Sequence, residues 1–266
     1  MKKYVSLVLA GVLTTGLLAG CGSTNHSTTT AGTSAQPKEQ KKVLTMGTSA
    51  DYPPFEYVNT AKSSDIIGFD VDIAKELGNK VGYEIKITDM DFNGLITALQ
   101  AGKVDFVMAG MDPTPERQQN ADFTSVYYQS DNVMLVKQTS GIKSVDDLKG
   151  KLLGVQVGSI QQDKAEELKK NIDFNITNRD RLGDLIQEVK SDRIAGVLME
   201  NVVAKGLLAS NKDLVSVSIP NKSSAGASIA FPKNSELTKK FDGALQELKQ
   251  SGELDKLIVK WFGDKQ

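Results

Sequence analysis

The sequence predicts an α/β protein with two lobes, each built on a largely parallel sheet. From Val43 onward, short apolar runs alternate with helical patterns, which is typical of consecutive βαβ units. The alternation starts again at Ser144, so the chain contains two such sets. Two apolar runs, "NVMLVK" and "ASIAFPK", are placed to cross between the sets. We therefore expect a discontinuous first lobe, residues 43–133 plus 227–266, and a second lobe, residues 134–226.

Length, charge and cysteine content limit the possible functions. The 266 residues suffice for one large domain or two smaller ones with their own cores. The formal net charge of −1 argues against a nucleic-acid-binding surface, which needs a basic surplus. A single cysteine excludes an internal disulfide framework. We expect no cofactor and no metal site.

The first residues indicate export. "MKKYVSLVLAGVLTTGLLAGCGS" has a basic start, an apolar run and then small residues, and the run is too short to read as a spanning helix. "LLAGC" resembles the bacterial lipobox, which predicts a signal peptide over residues 1–20 and lipidation of Cys21 rather than a buried free cysteine. Residues 21–42 are rich in Ser, Thr, Gly and Gln and are typical of a flexible tether. The only histidine, His26, falls in it, so we expect no catalytic or metal-binding role for it.

The first set of elements follows from periodicity. Ile73, Leu77 and Val81 lie four residues apart, which predicts an amphipathic helix with Asp70 at its N-cap. A second helix is expected to end near Gly102. The predicted order is strand "KVLTMGTS", helix "DVDIAKELGNKVG", strand "YEIKITDM", helix "NGLITALQAGK" and strand "VDFVMAG".

The second set begins with two capping signals. Ser144 with Asp147, and Ser159 with Gln162, have the spacing of capping boxes at helix starts. The remaining elements alternate as strand "KLLGVQVG", helix "SIQQDKAEELKKN", strand "FNITN", helix "RLGDLIQEVKSD", strand "RIAGVLME", helix "NVVAKGLLASN", strands "LVSVSI" and "GASIAFPK", and helices "SELTKKFDGALQELKQSG" and "ELDKLIVKWFG".

Loops after strands are the expected place for a ligand, because ligands of open parallel sheets sit beyond the carboxyl ends of the strands. The first such loop, "GTSADYPPFEY", carries Ser49, Asp51, Tyr52 and Phe55 around two prolines. It is either a tight turn that buries Tyr52 and Phe55 or one wall of a cleft. Phe92, in the loop "DMDFNG", is either a core residue or the partner of Tyr52 in an aromatic clamp for a flat or cationic group.

The loop "AGMDPTPERQQ" places a cation at the start of a helix. Thr114 suits the N-cap and Pro115 the first helical position, so Arg117 falls in the first turn. An arginine there opposes the helix dipole, which favours an arriving carboxylate that binds the guanidinium with two parallel hydrogen bonds. The alternative is an ion pair with a structural acid, namely Asp112, Glu116 or Asp122.

Two further strand ends complete the candidate site. "GVQVGSIQQ" ends a strand at Gly158 and opens a helix at Ser159, whose free N–H groups attract an anion. Glu200 ends the strand "RIAGVLME" and would suit the ammonium of a zwitterion. The alternative is an exposed acid at a helix start, a position that acids favour.

Several strings resemble one family: "GTSADYPPFEY", "IIGFDVDIAKELG", "AGMDPTPERQQNADFTSVYY", "GVQVGSIQ" and "ELKQSGELDKLIVKWFG". They are similar to solute-binding proteins of ABC importers for polar amino acids, in particular the basic-amino-acid binding lipoproteins of Gram-positive bacteria. The resemblance runs from about Val43 to Phe262. It implies a type II periplasmic-binding-protein fold, with two lobes joined by two crossover strands and a ligand cleft between them.

The resemblance also implies a role for each site residue. Arg117 would bind the ligand α-carboxylate together with backbone around Gly110 and at the start of the helix after Ser159. Glu200 would bind the α-ammonium, and Tyr52 and Phe92 would bracket the side chain. The full implied set is Ser49, Asp51, Tyr52, Phe92, Ala109, Gly110, Met111, Asp112, Arg117, Gln156, Ser159, Ile160, Gln161 and Glu200.

Two positions depart from the family pattern. Asp112 stands where relatives usually have Ser or Thr, so its carboxylate would either repel the ligand carboxylate or add a second anchor for the ammonium; we expect the second, because Arg117 remains to neutralise it. Ala195 stands where the family usually has Asp, which we expect to affect local capping alone.

The predicted function is therefore an extracytoplasmic lipoprotein that binds a basic L-amino acid and delivers it to membrane permease subunits. Arginine is the expected ligand, ahead of lysine and histidine. Glutamine, cystine or another polar amino acid is the alternative, and an enzyme of the dehydratase type on the same fold is less favoured. A sensor that acts through a separate membrane partner is also consistent with the pattern. We expect a monomer on the outer face of the cytoplasmic membrane, held by its lipid.

Overall fold

The computed structural model describes residues 41–60, 63–220 and 225–263. These residues belong to one compact unit, Gln40–Gln266. The predicted signal peptide, Cys21 and residues 22–40 of the tether, with His26, lie outside the described residues; the tether prediction extends too far, because β1 begins at Lys42. No helix in the described part of the chain is long and apolar enough to cross a membrane.

The described residues form eight α-helices and fifteen strands, many of the strands short. The helices are α1 (Phe69–Val81), α2 (Leu95–Gln100), α3 (Pro115–Asn120), α4 (Ile160–Lys169), α5 (Leu182–Lys190), α6 (Asn201–Ser210), α7 (Glu236–Gln250) and α8 (Glu253–Phe262). Single 3₁₀ turns span Phe92–Gly94, Gln138–Ser140 and Val145–Leu148. The strands are β1 (Lys42–Thr48), β2 (Asp51–Tyr52), β3 (Glu56–Val58), β4 (Ile66–Ile67), β5 (Tyr83–Asp89), β6 (Phe106–Val107), β7 (Asp122–Phe123), β8 (Tyr128–Ser130), β9 (Asn132–Lys137), β10 (Leu152–Gln156), β11 (Asn175–Arg179), β12 (Gly196–Glu200), β13 (Leu214–Ser218), β14 (Ala225–Ala227) and β15 (Ala230–Phe231).

Two five-stranded sheets organise the fold, as the repeated pattern predicts. The first has the strand order β5-β1-β6-β15-β7 and the second β11-β10-β12-β9-β13. In each sheet three neighbouring strands run parallel, and the remaining two pair antiparallel. The expectation of largely parallel sheets is therefore only half right. β15 returns to the first sheet and β9 enters the second by a crossover, and both run against their neighbours.

The two crossings occur earlier in the chain than the apolar runs indicate. β8 and β14 pair antiparallel as a separate two-stranded ribbon, and in chain order each lies between the two sheets. The run "NVMLVK" is instead β9, an interior strand of the second sheet. Its apolar character reflects burial on both faces, which a crossing strand does not require.

Helix α1 begins one residue before the expected start, and the expected N-cap is wrong. Its N-cap is Gly68, with φ of 144°, where an added Cβ would lie 2.0 Å from the carbonyl oxygen of Phe55. Glycine is required there by both conformation and space. Asp70 lies inside the first turn, wholly buried, and its Oδ2 accepts hydrogen bonds from the Gly110 N–H at 2.9 Å and the Tyr127 hydroxyl at 2.7 Å. Its carboxylate therefore supports the loop after β6 instead of capping its own helix.

The other capping signals have the expected geometry. Thr114 caps α3 by accepting a hydrogen bond from the Arg117 N–H at 3.3 Å, and Pro115 is the first helical residue. Ser159 caps α4. Ser144 and Asp147 form a complete capping box, on a 3₁₀ turn. Short polar side chains at these positions therefore fix the starts of the two helices that border the cleft.

Candidate ligand cleft

A cleft between the two sheets collects residues from the carboxyl ends of their strands. Its walls enclose about 330 Å³ of space, including the opening toward solvent. The lining residues are Ser49, Tyr52, Glu56, Phe92, Ala109, Gly110, Asp112, Arg117, Gln156, Ser159, Ile160, Gln161 and Glu200. Twelve of them belong to the set that the sequence predicts.

Two predicted residues do not line this cleft. Met111 is buried in the core, and its carbonyl accepts a hydrogen bond from the Ser228 N–H at 2.9 Å. Asp51 points toward helix α5, where its Oδ2 accepts from the Leu182 and Gly183 N–H groups. Both lie next to lining residues in the chain, but the backbone turns between neighbours here, with φ of 55° at Gly110, so adjacent side chains point in different directions.

Glu56 lines the cleft and was missed by sequence reasoning. Its side chain is wholly buried, and its carboxyl oxygens accept no hydrogen bond from an N–H group or a hydroxyl within the described residues; the protonated carboxyl is placed to donate to the carboxyl of Asp70. Burial and the neighbouring carboxyl of Asp70 raise its pKa well above the usual range. A glutamate in the three-residue strand β3 leaves too short a pattern to distinguish it from an exposed one.

Arg117 bridges the two sides of the cleft. Its Nη1 donates to the carbonyl of Asp112 and its Nη2 to the carbonyl of Gly158, each at 2.8 Å. The guanidinium carbon lies 5.2 Å from the ring centroid of Phe92, a cation–π contact. Phe92 therefore supports the arginine as well as lining the cleft. Burial lowers the arginine pKa, and the nearby Asp112 opposes that effect.

Asp112 is tied to the returning ribbon. Its Oδ1 accepts a hydrogen bond from the Gly226 N–H at 2.5 Å. Burial raises its pKa to about 6 in spite of this bond and of the Arg117 charge. Of the three structural acids considered for Arg117, Asp112 contacts it through its backbone carbonyl, so the carboxylate is not its direct partner.

Glu200 ends β12 on the opposite wall and is 4% exposed. Its backbone N–H donates to the hydroxyl of Tyr52 at 3.3 Å, so the two walls meet here as well. Burial, followed by the charges of Asp112 and Asp70, raises the pKa of its carboxyl well above normal. The alternative of an exposed helix-start acid is therefore wrong.

At the start of α4, the polar side chains of Ser159 and Gln161 form hydrogen bonds within the protein. Ser159 Oγ donates to the Gln156 carbonyl at 2.8 Å and accepts from the Gln162 N–H at 3.2 Å. The amide of Gln161 donates to Asn132 Oδ1 at 2.7 Å. The first-turn N–H groups of a helix have no partner within it. Those of Ile160 and Gln161 therefore remain available to an anion in the cleft.

The chemistry of the cleft follows from its charges. One arginine and one helix start are suited to an anion, and the carboxyls of Glu56, Asp112 and Glu200 are suited to cations. No group of metal-binding side chains occurs among the described residues. The fold and cleft together define a two-lobe protein of the type II periplasmic-binding-protein class, which holds a small zwitterion between its lobes.

Comparison with known proteins identifies the family. The model of bacterial extracellular solute-binding proteins, family 3, matches residues 44–264, and the chain belongs to this family. It is 48% identical over 264 residues to the arginine-binding extracellular protein ArtP of Bacillus subtilis, with 98% of each chain covered.

Solved structures agree in fold. An ancestral arginine-binding protein bound to arginine is 37% identical, with a TM-score of 0.78, covering 84% of this chain and 99% of that one. An ancestral arginine-binding protein bound to glutamine is 36% identical, with a TM-score of 0.77, covering 85% and 100%. An ancestral amino-acid-binding protein described as a precursor of cyclohexadienyl dehydratase is 32% identical, with a TM-score of 0.75, covering 83% and 95%.

Proposed function

We propose that this cleft binds a basic L-amino acid, arginine in preference to lysine and histidine, and that the closed protein delivers it to the permease of an ABC importer. The observation that carries the proposal is the cluster of three carboxyls that line the cleft, Glu56, Asp112 and Glu200, each with a pKa that burial raises. The charged form of a buried carboxyl is costly, and a ligand cation compensates that cost. The likeness to proteins named as arginine-binding supports the same ligand.

We assign the zwitterionic head group of the ligand to the part of the cleft between Arg117 and Glu200. Arg117 and the free N–H groups at the start of α4 hold the α-carboxylate, and Glu200 holds the α-ammonium with Asp112 beside it. The side chain then lies between Tyr52 and Phe92.

The cation at the end of the ligand side chain is assigned to Glu56, with Ser49, Gln156 and Gln161 around it. This placement is supported by the charges of Asp70, Asp51 and Glu200, which raise the pKa of Glu56 and add to the negative potential that favours a cation there. Glu56 then meets a positive charge instead of remaining an unpaired buried acid.

Two other functions are considered beside the binding of a basic amino acid. The glutamine-bound relative supports a neutral polar amino acid, and the dehydratase precursor raises the possibility of an enzyme. The lining residues described here include neither histidine nor cysteine, so acid–base chemistry would fall on carboxyls alone. We therefore propose binding without catalysis.

The proposal extends to the processing, membrane anchoring and location of the protein. We propose that residues 1–20 are removed, that Cys21 carries the lipid anchor, and that the protein acts as a monomer outside the cytoplasmic membrane. We propose that the first lobe comprises residues 43–133 and 227–266 and the second lobe residues 134–226. The strand β9 of the second sheet begins at Asn132, so the first limit falls inside this strand.

Thermal shift against the twenty L-amino acids tests this function. A ligand that binds the native state raises the melting temperature by mass action. We expect the largest shift with arginine and smaller shifts with lysine and histidine. A response to glutamine or cystine without one to arginine would overturn the basic-ligand assignment and leave the transport role.

A further inference from the structure

Helix α5 receives its N-terminal cap from the other side of the cleft. Arg181 holds the N-cap position, and its side chain makes no capping hydrogen bond. The Leu182 N–H instead donates to Oδ2 of Asp51 at 2.5 Å, and the Gly183 N–H approaches the same oxygen at 3.4 Å. Asp51 begins β2, the short strand that follows β1 of the first sheet and pairs with β3, whereas α5 packs on the second sheet.

The carboxylate of Asp51 is held in this orientation from its own side. Ser49 Oγ donates to its Oδ1 at 3.2 Å. A carboxylate at a helix start is stabilised by the free N–H groups and by the positive end of the helix dipole. The side chain is therefore engaged on both oxygens without reaching the ligand cleft.

Arg181 makes the reciprocal contact. Its Nε donates to Asp91 Oδ1 and its Nη1 to Asp89 Oδ1, each at 2.8 Å. The same Asp89 oxygen accepts from the Ala50 N–H at 2.8 Å, which ties it to the loop that carries Asp51. A carboxyl from the β2 side of the cleft thus reaches α5, and the N-cap arginine of α5 reaches two acids at and just after the end of β5.

From this geometry we propose that Asp51 and Arg181 form a closure latch, positioning residues that hold the two sheets together without touching the ligand. A latch of this kind stabilises the closed conformation whether or not the cleft is occupied. The population of the closed form without ligand, and the rate at which ligand escapes, then depend on it. The inference uses the two-lobe fold; its kinetic readout also rests on the proposed ligand.

The test compares Asp51→Ala and Arg181→Ala with Arg179→Ala. Arg179 is the matched control, because it pairs with Glu188 inside the second lobe, at 2.7 Å. Small-angle scattering gives the radius of gyration with and without arginine, and stopped flow gives association and dissociation rates. We expect each latch variant to expand the ligand-free protein and to raise the dissociation rate about tenfold, with association changed far less. The control should leave all three quantities unchanged.

Two results would overturn the latch. One is an unchanged radius of gyration and dissociation rate in both latch variants. The other is loss of arginine binding in Asp51→Ala alone, which would make Asp51 a ligand contact. If the wild-type protein ignores arginine, the proposed ligand fails, but the radius of gyration of the ligand-free variants still tests the latch.

Discussion

Arg117 shows how a residue that opposes local preference is stabilised by the rest of the chain. It sits in the first turn of α3, where its charge opposes the helix dipole, and it donates to backbone carbonyls on both sides of the cleft. A ligand carboxylate offers stronger, charge-assisted hydrogen bonds than those carbonyls. The two backbone hydrogen bonds therefore orient the guanidinium in the ligand-free protein so that it can bind an anion.

Replacing this arginine tests the carboxylate assignment. Arg117→Ala should weaken arginine binding about a hundredfold or more, because a buried hydrogen-bonded charge pair is lost. Isothermal titration calorimetry measures the affinity, and thermal unfolding confirms that the ligand-free fold persists. Gln119→Ala, on the exposed part of α3, is the control and should bind normally. Tight binding by Arg117→Ala would mean that the carboxylate lies elsewhere.

Glu56 is a buried carboxyl with a raised pKa, so its charged form is disfavoured in the ligand-free protein and a ligand cation would favour it. Glu56→Gln keeps the shape but cannot ionise, so arginine affinity should fall about tenfold or more while ligand-free stability at neutral pH changes little. Calorimetry and thermal melts give the two quantities, with the exposed Glu84→Gln as control. Unchanged arginine affinity would show that Glu56 does not face the ligand cation.

The buried acids also predict a pH dependence. Asp112 has a pKa of about 6 because it is buried, and burial raises that of Glu200 well above normal. These carboxyls lose protons as pH rises, so affinity for arginine should increase between about pH 5 and about pH 7.5, with protons released on binding. Calorimetry in buffers of different ionisation enthalpy counts those protons. A flat profile for arginine would contradict the assignment.

The stability of the ligand-free protein should change in the opposite direction. A raised folded-state pKa means that the folded chain binds protons more tightly than the unfolded chain. Its contribution is fully present below about 3.8, the ordinary value, and is lost as pH rises through about 6, the value for Asp70 and Asp112. Arginine should thus compensate a weakness that appears as the acids ionise.

At the element scale, Gly158 joins β10 to α4 where the two sheets approach closely. Its φ is 72°, and an added Cβ would lie 3.2 Å from Cβ of Asn93 on the other side of the cleft. Gly158→Ala should lower the melting temperature through backbone strain and weaken arginine binding by impeding closure.

A matched substitution separates these two effects. Gly82→Ala places a Cβ at a φ of 85° with nothing within 4 Å, so it should lower the melting temperature through strain and bind arginine normally. Unfolding curves and calorimetry on both variants make the comparison. Normal affinity in Gly158→Ala would exclude a role for this close approach in closure.

The elements show what local sequence can predict. The starts of α3 and α4 follow from Thr114 and Ser159, because a cap depends on residues a few positions apart. Asp70 was misread as a cap, since its real partners, Gly110 and Tyr127, are distant in the chain. The two crossings between the sheets were predicted too late in the chain for the same reason, because β8 and β14 pair across a long separation in sequence.

In the candidate site, too, the features that follow from local sequence and topology were predicted, and those that depend on distant contacts were not. Residues at strand ends, such as Arg117 and Glu200, were found because parallel topology brings strand ends together. Glu56 was missed and Asp51 was assigned to the wrong neighbours, because the direction of a side chain in a short extended segment depends on the folded environment. Twelve of the fourteen predicted residues nevertheless line one cleft.

At the scale of the whole molecule, two sheets enclose a charged cleft and contact each other through Arg117, Tyr52 and the Asp51–Arg181 latch. Several hydrogen bonds across the cleft are made before any ligand is considered. Ligand binding then has to add only the difference between open and closed forms, which is how a small zwitterion can control the arrangement of two lobes.

The central claim is that the cleft selects a positive side chain. Isothermal titration with arginine and with citrulline, which has nearly the same shape but no side-chain charge, tests it most directly. We predict one ligand per chain and an affinity for arginine about a hundredfold or more above that for citrulline, since the buried carboxyls need a cation. Equal affinities would contradict the claim and assign the cleft to a neutral polar amino acid.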